Sequence, residues 1–180
     1  MTIACLGWGS LIWQQQSLPV ASEWWPDGPS LPVEFARQSD NGRITLVLVA
    51  ASAPLAVLWC ELKVASIDAA RHVLAEREGI KPHNAGRLIG SWPNEDHAFA
   101  DQIGEWAAKK NIVGVVWTAL GPRFGGKNET PSCEAVVGYL RGLSGETRMR
   151  AEEYVRNAPA AIRTANRTAI EEALGWTPIA

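Results

Sequence analysis

Two places in this chain carry residue types suited to chemistry. The first is Gly7-Trp8-Gly9-Ser10-Leu11, directly after the apolar run Ile3-Ala4-Cys5-Leu6. The run reads as a buried strand and the glycines as a sharp exit from it. Without a Cβ, Gly7 and Gly9 are free to take positive φ and to let a ligand approach the main chain. The amides around Gly9 and Ser10 then offer a concave donor site for a carboxylate, phosphate or oxyanion. The second place is Glu78. At about 100° per residue, Ile67, Ala70, Arg71, Leu74 and Glu78 share one side of a helix. Ile67, Ala70 and Leu74 make that side apolar, while Glu76 lies nearly opposite and faces solvent. A glutamate on a core-facing stripe must be paired, hydrogen-bonded or protonated. In the last helical turn it also meets the negative end of the helix dipole. Both effects raise a carboxyl pKa, the tuning used for a general acid–base glutamate. The competing expectation is a frayed helix end, with Glu78 in solvent or paired with Arg71 or Arg77.

The elements that must position these residues follow from pattern. Val33 to Arg37 and Arg43 to Val49 flank Ser39-Asp40-Asn41-Gly42 and read as a β-hairpin. Val57 to Leu62 is a further strand, with Pro54 in the connection before it. Ser66 caps a helix from Ile67 to Glu78, which Gly79 stops. Asn94 is expected to cap a second helix, with Glu95 and Asp96 in its first turn, Lys109 and Lys110 in its last, and Phe99, Ile103, Trp106 and Ala107 as its stripe. Ile112 to Leu120 reads as a fully buried strand. Thr130-Pro131 opens a helical stretch, and helices follow around Arg148 to Arg156 and Ala165 to Leu174, the last ended by Gly175. Strands first and helices last make an α+β pattern. The hairpin implies a mixed or antiparallel sheet, expected here to close into a small β-barrel with flanking helices.

Composition narrows the classes. The 180 residues suit a single domain over 1–180, divided into a barrel core with inserted helices over 1–128 and a helical part over 129–180. A net charge of −2 leaves no electrostatic footprint for nucleic acid or an anionic membrane. Cys5, Cys60 and Cys133 read as reduced core thiols, with no metal-ligand spacing, and the start lacks a basic leader. The expectation is a cytoplasmic protein. Nine tryptophans are many for this length, so indoles are needed at pocket walls or interfaces as well as in the core. Trp24-Trp25-Pro26-Asp27-Gly28-Pro29 is a loop, either walling a pocket, contacting a second copy in a homo-oligomer, or pinned to the core by its rings.

A strand ending in Gly-Trp-Gly-Ser-Leu, followed after a hairpin and a strand by Leu74-Ala75-Glu76-Arg77-Glu78-Gly79-Ile80, resembles the gamma-glutamylcyclotransferase-like family. The matching order covers Ile3 to Ile80. Trp8 stands where that family has tyrosine, Leu11 where asparagine is common, and Ala75 where aspartate is common. The resemblance implies a small β-barrel with flanking helices and Glu78 as general acid/base. It implies that the backbone of Gly7 to Leu11 holds a small-molecule γ-glutamyl substrate, which cyclises to 5-oxoproline and releases an amine or amino acid. It implies no metal or other cofactor. The alternative on the same fold is a non-catalytic small-molecule-binding or interaction module.

A rival site is Gly121 to Asn128, which nearly fits the phosphate-binding pattern G-x-x-x-x-G-K-[ST]. Asn128 replaces the magnesium-binding hydroxyl, and Pro131 delays the helix that such a loop needs. A flexible basic loop is the better reading, with Arg123 and Lys127 either solvated or over a pocket mouth, where they would suit a substrate carboxylate; Arg37 of the hairpin is a further pocket candidate. His72, His83 and His97 lack ligand spacing, and no histidine is placed to activate Cys133.

Overall fold

The computed structural model describes residues 1–94 and 96–179. Its elements begin with β1 (Thr2–Gly7), β2 (Ser30–Leu31), β3 (Val33–Gln38), β4 (Ile44–Leu48), β5 (Leu55–Ala56) and β6 (Leu58–Glu61). Next come α1 (Ile67–Arg77), α2 (Pro82–Leu88), β7 (Ile89–Trp92), α3 (Ala100–Lys109) and β8 (Ile112–Thr118). Three helices end the chain: α4 (Cys133–Gly142), α5 (Gly145–Asn157) and α6 (Ala165–Leu174). They form two units. The first comprises Met1–Gly7, Gln14–Leu31 and Ala56–Leu120; the second comprises Trp8–Trp13, Pro32–Leu55 and the chain from Gly121 onward.

The first unit is built on a four-stranded sheet in the order β6-β1-β8-β7. β1 runs antiparallel to β6 and parallel to β8, while β7 and β8 are antiparallel. Ile3, Ala4, Cys5 and Leu6 are buried without interruption, as a central strand covered on both faces requires. The parallel β1–β8 pair needs a long crossover, and its helices cover the sheet: α1 packs on β1, β7 and β8, and α3 on β7 and β8. Gly114 in mid-β8 allows α1 to approach, since a Cβ there would lie 2.5 Å from Ile67 Cγ1. The expected closed barrel is not seen. Among the described residues β6 and β7 do not pair: the outer side of β6 is bridged instead by the segment around Trp25, and β3–β4 forms a separate two-stranded sheet.

Local signals explain most elements. Ser66 caps α1 by accepting from the Ala69 amide (3.1 Å), and Gly79 leaves it at φ 65°. The expected cap at Asn94 does not hold. Asn94 Oδ1 accepts from the Asp96 amide in a local turn (3.2 Å), and α3 starts only at Ala100, behind Phe99 in the left-handed region. Asp101, not Asp96, is its first-turn acid; Glu95 lies outside the described residues. α2 and β7 had no counterpart in the sequence pattern. Pro82 there begins a helix, a position that tolerates its missing N–H, rather than breaking one. β8 is not fully buried, because Val113 is exposed, and α4 starts behind the Ser132 cap, later than Thr130-Pro131 suggests. The tryptophan loop is pinned within the first unit: Trp25 exchanges backbone hydrogen bonds with Trp59, and the two rings lie 4.4 Å apart. Asp27 holds the same loop through Trp59 Nε1 (2.8 Å) and Lys110 Nζ (2.6 Å).

The second unit joins the β3–β4 hairpin to the last three helices, with α6 on β3, α4 on α6 and α5 on β4. Its interior is polar at one place. Buried Glu34 accepts from the Phe35 amide (2.7 Å), the Asn166 amide (3.3 Å) and the Thr164 hydroxyl, so a carboxylate seats the N-terminus of α6. Arg167, fully buried, donates to Glu171 Oε1 (3.0 Å) and to the carbonyls of Pro159 (2.6 Å), Ile162 (3.1 Å), Ala158 (2.8 Å) and Val155 (3.4 Å). One guanidinium therefore satisfies the end of α5 and the turn before α6. Arg167→Met keeps the stem and strands those carbonyls with Glu171; urea denaturation is expected to show a loss of about 3–5 kcal/mol.

Cys5 and Cys60 are opposite one another in the β1–β6 register, and both are free and buried. Burial raises both thiols, Cys60 from an ordinary value of 9.0 to about 12. The folded state therefore keeps protons that the unfolded chain releases, so this contribution to stability is present below pH about 9 and is lost as pH rises toward about 12. Denaturation midpoints across that window are expected to fall less steeply in Cys5→Ala/Cys60→Ala than in the wild type. Parallel slopes would contradict the buried-thiol assignment.

Candidate active site

Glu78 is the C-cap residue of α1, and its amide donates to the Leu74 carbonyl (3.0 Å). The buried residues of α1 are Ala70, Leu74 and Ala75, so the apolar face is the one that periodicity marks, while Glu76 is exposed. Continuing that face, the Glu78 side chain is only 18% exposed. It is also paired: Arg77 Nη1 lies 2.5 Å from Glu78 Oε1. Arg77 is itself anchored, donating from Nε (3.2 Å) and Nη2 (2.6 Å) to the Gln14 carbonyl. Burial on the helix face and pairing with Arg77, which the sequence set against each other, thus occur together. The carboxylate stands close enough to β1 for its charge to help push the Cys5 thiol up, after the larger effect of burial. Chemically, this is a carboxylate of low exposure whose orientation is fixed by an adjacent guanidinium.

The Gly7 to Leu11 segment divides at the end of β1. Gly7 belongs to the strand and pairs with Leu58. Neither Gly7 nor Gly9 uses the freedom to take positive φ. Gly9 is required for another reason: in the second unit a Cβ there would collide with the Tyr154 hydroxyl. The turn continues with the Ile12 amide donating to the Gly9 carbonyl (3.0 Å). Trp8 is buried and its Nε1 donates to the Leu46 carbonyl (3.2 Å), while the Tyr154 hydroxyl accepts from the Leu46 amide (3.2 Å). Two aromatic side chains thereby serve the main chain of β4, and Leu11 is buried beside the half-buried Ser10. Tyr154 escaped the sequence reading, since on an otherwise charged helix it looks like an ordinary aromatic. Arg77 was legible only as a neighbour of Glu78.

The remaining candidates are in the second unit. Arg37 donates to the Gly121 carbonyl (3.0 Å), and Arg123 pairs with Asp40 (3.5 Å). Burial and then the nearby Arg123 charge lower the Arg37 pKa. Arg123 lines a cavity of about 250 Å³ with Gln38, Ser39, Asp40 and Gly126, of which Arg37 is not a lining residue. Gly121 to Asn128 is no phosphate cradle. Arg123 exchanges backbone hydrogen bonds with β3, Gly125 and Gly126 form a turn closed by Phe124 and Lys127, and α4 starts at Cys133. The Cys133 thiol is raised by burial and then by the Glu34 and Glu134 charges, which opposes a nucleophilic role. Among the described residues no three His, Cys, Asp or Glu side chains are grouped to hold a metal ion, and no helix is long and apolar enough to cross a membrane.

No family model and no curated protein sequence matches this chain. A solved structure does: that of a gamma-glutamyl cyclotransferase specific to glutathione from yeast, at 13% identity and a TM-score of 0.51. The likeness covers 97% of this chain and 98% of the yeast protein, so it spans both units and the final helices. At that identity it is a likeness of fold, and it places the α+β arrangement of this chain with a cyclotransferase.

Proposed function

We propose that this protein is a gamma-glutamylcyclotransferase-like enzyme that converts a small γ-glutamyl compound to 5-oxoproline and a free amine or amino acid. One observation carries the assignment: a glutamate at the end of α1 is largely buried, paired and held near β1, where solvent exposure would be the ordinary outcome. The cyclotransferase fold of the yeast neighbour supports it.

In this mechanism the Glu78 carboxylate takes a proton from the substrate's α-ammonium. The freed nitrogen attacks the γ-carbonyl carbon, forming the ring C–N bond and an oxyanion. Collapse of the oxyanion breaks the γ-carbon bond to the departing nitrogen, which receives the first proton from Glu78. The ring nitrogen gives up its second proton to the same carboxylate, which passes it on to the released amine, so the products are a neutral lactam and an ammonium group. Because both reacting groups belong to one molecule, the protein needs to fold the substrate, relay protons between its two nitrogens and stabilise one oxyanion. The backbone of Gly7, Trp8, Gly9, Ser10 and Leu11 is assigned to substrate holding. Arg77 positions the glutamate, and Arg37 and Arg123 are candidates for carboxylate recognition. Chain 1–180 is taken as one functional domain. Its three free cysteines suit a reducing compartment such as the cytoplasm.

The test measures 5-oxoproline release from a panel of γ-glutamyl amino acids, γ-glutamyl amines and glutathione. Wild type is expected to turn over at least one. Glu78→Gln is expected to lose at least about a hundredfold in kcat with an unchanged circular dichroism spectrum. Equal turnover by both proteins would refute Glu78 as the base, and no turnover of any compound would favour a non-catalytic binding module.

A further inference from the structure

The helix α1 also borders a second, separate feature. Asp68, Arg71, His72, Ala75 and Glu76 of α1, with Ile80 and the α2 residues Pro82, Ala85 and Gly86, line a cavity of about 390 Å³. That volume is within the range of small-molecule sites. All of these residues belong to the first unit, and Glu78 and the Gly7 to Leu11 segment are not among them.

The polar group inside it is Arg71. Its Nε is buried and has no hydrogen-bond partner among the described residues. Among the described residues its ion pair is a long contact from Nη1 to Asp68 Oδ1 (3.7 Å), and the Asp68 carboxylate is 93% exposed. A buried donor without an acceptor is costly, and a guanidinium edge presents Nε–H and Nη–H in the geometry that a carboxylate accepts. On the α2 side Gly86 leaves the guanidinium uncovered, since an added Cβ there would come into van der Waals contact with Arg71 Nη2 (3.7 Å). Around the guanidinium, Ala75, Ile80, Pro82 and Ala85 supply apolar wall. Asp68 and Glu76, both exposed, put negative charge at the rim. Rim charge of that sign repels a ligand with a second anionic group or a doubly charged phosphate.

We propose that the cavity between α1 and α2 is a binding site for a small monocarboxylate with an uncharged, branched aliphatic body. The carboxylate accepts from Arg71 Nε–H and Nη–H while the body covers Ala75, Ile80, Pro82 and Ala85. The site is independent of the proposed cyclisation and of Glu78.

The experiment titrates the full chain with isovalerate, isovaleramide, isoamylamine and inorganic phosphate, following backbone amide and arginine Nε–H signals by two-dimensional NMR. Isovalerate is expected to move the Arg71 Nε–H signal and the amides of α1 and α2. Isovaleramide and phosphate are expected to bind at least about tenfold more weakly. Arg71→Gln should weaken isovalerate at least about tenfold, and Ala85→Leu, which fills the cavity and keeps the arginine, should do the same. Glu78→Gln should bind as the wild type does. The proposal is overturned if no shift occurs at Arg71, if the amide, amine or phosphate binds as well as isovalerate, or if both cavity variants bind normally in a folded chain. Loss of binding in Glu78→Gln would also overturn it, by placing the ligand at the other site.

Discussion

β1 is hydrogen-bonded on both sides, to β6 in antiparallel and to β8 in parallel pairing, and this double constraint organises the first unit. Both faces of this strand are covered as well, so Ile3 to Leu6 are all buried, and burial raises the Cys5 thiol. Parallel pairing with a strand more than a hundred residues later in the chain forces a crossover that carries α1, α2, β7 and α3. It thereby sets α1 against β1 and β8. The position of Glu78 is a consequence. The helix presents Ala70 and Leu74 to the sheet, and the residue one turn later must follow them inward even though it is charged.

A carboxylate brought inward by helical geometry needs compensation, and the neighbouring residue supplies it. Arg77 spends Nε and Nη2 on the Gln14 carbonyl and places Nη1 on Glu78. The guanidinium is thus fixed to the main chain where the first unit resumes after Trp13, rather than hanging from α1 alone. A pair so anchored fixes direction as well as charge, which a proton-transferring group requires. The second unit treats its buried charges differently. Glu34 and Arg167 are consumed by helix ends, the carboxylate at the start of α6 and the guanidinium at the close of α5, and their roles are structural.

Much of this was legible in residue order because it depends on local rules. Ser66 and Gly79 bound α1, Gly175 ends α6, and the Asp40-Asn41-Gly42 turn joins a real hairpin, since capping and turn chemistry act within a few residues. The burial of Glu78 was legible for the same reason. What escaped depends on long-range partners. Nothing near Gly9 announces that the Tyr154 hydroxyl will lie where a Cβ would be. Closure of the sheet depends on whether β6 meets β7, and no pattern within either strand encodes that. Asn94 failed locally, because an Asx turn mimics a helix cap.

The central claim is that Glu78 moves the proton that starts cyclisation, and the position of a bound substrate tests it most directly. A crystal structure of Glu78→Gln with an intact γ-glutamyl substrate would retain the shape of the site while halting the reaction. The account predicts the substrate's α-nitrogen within about 2.6–3.2 Å of the side chain at position 78, with its γ-carbonyl carbon facing that nitrogen. A substrate bound with its α-nitrogen directed away from position 78, or held at a place remote from the end of α1, would contradict it.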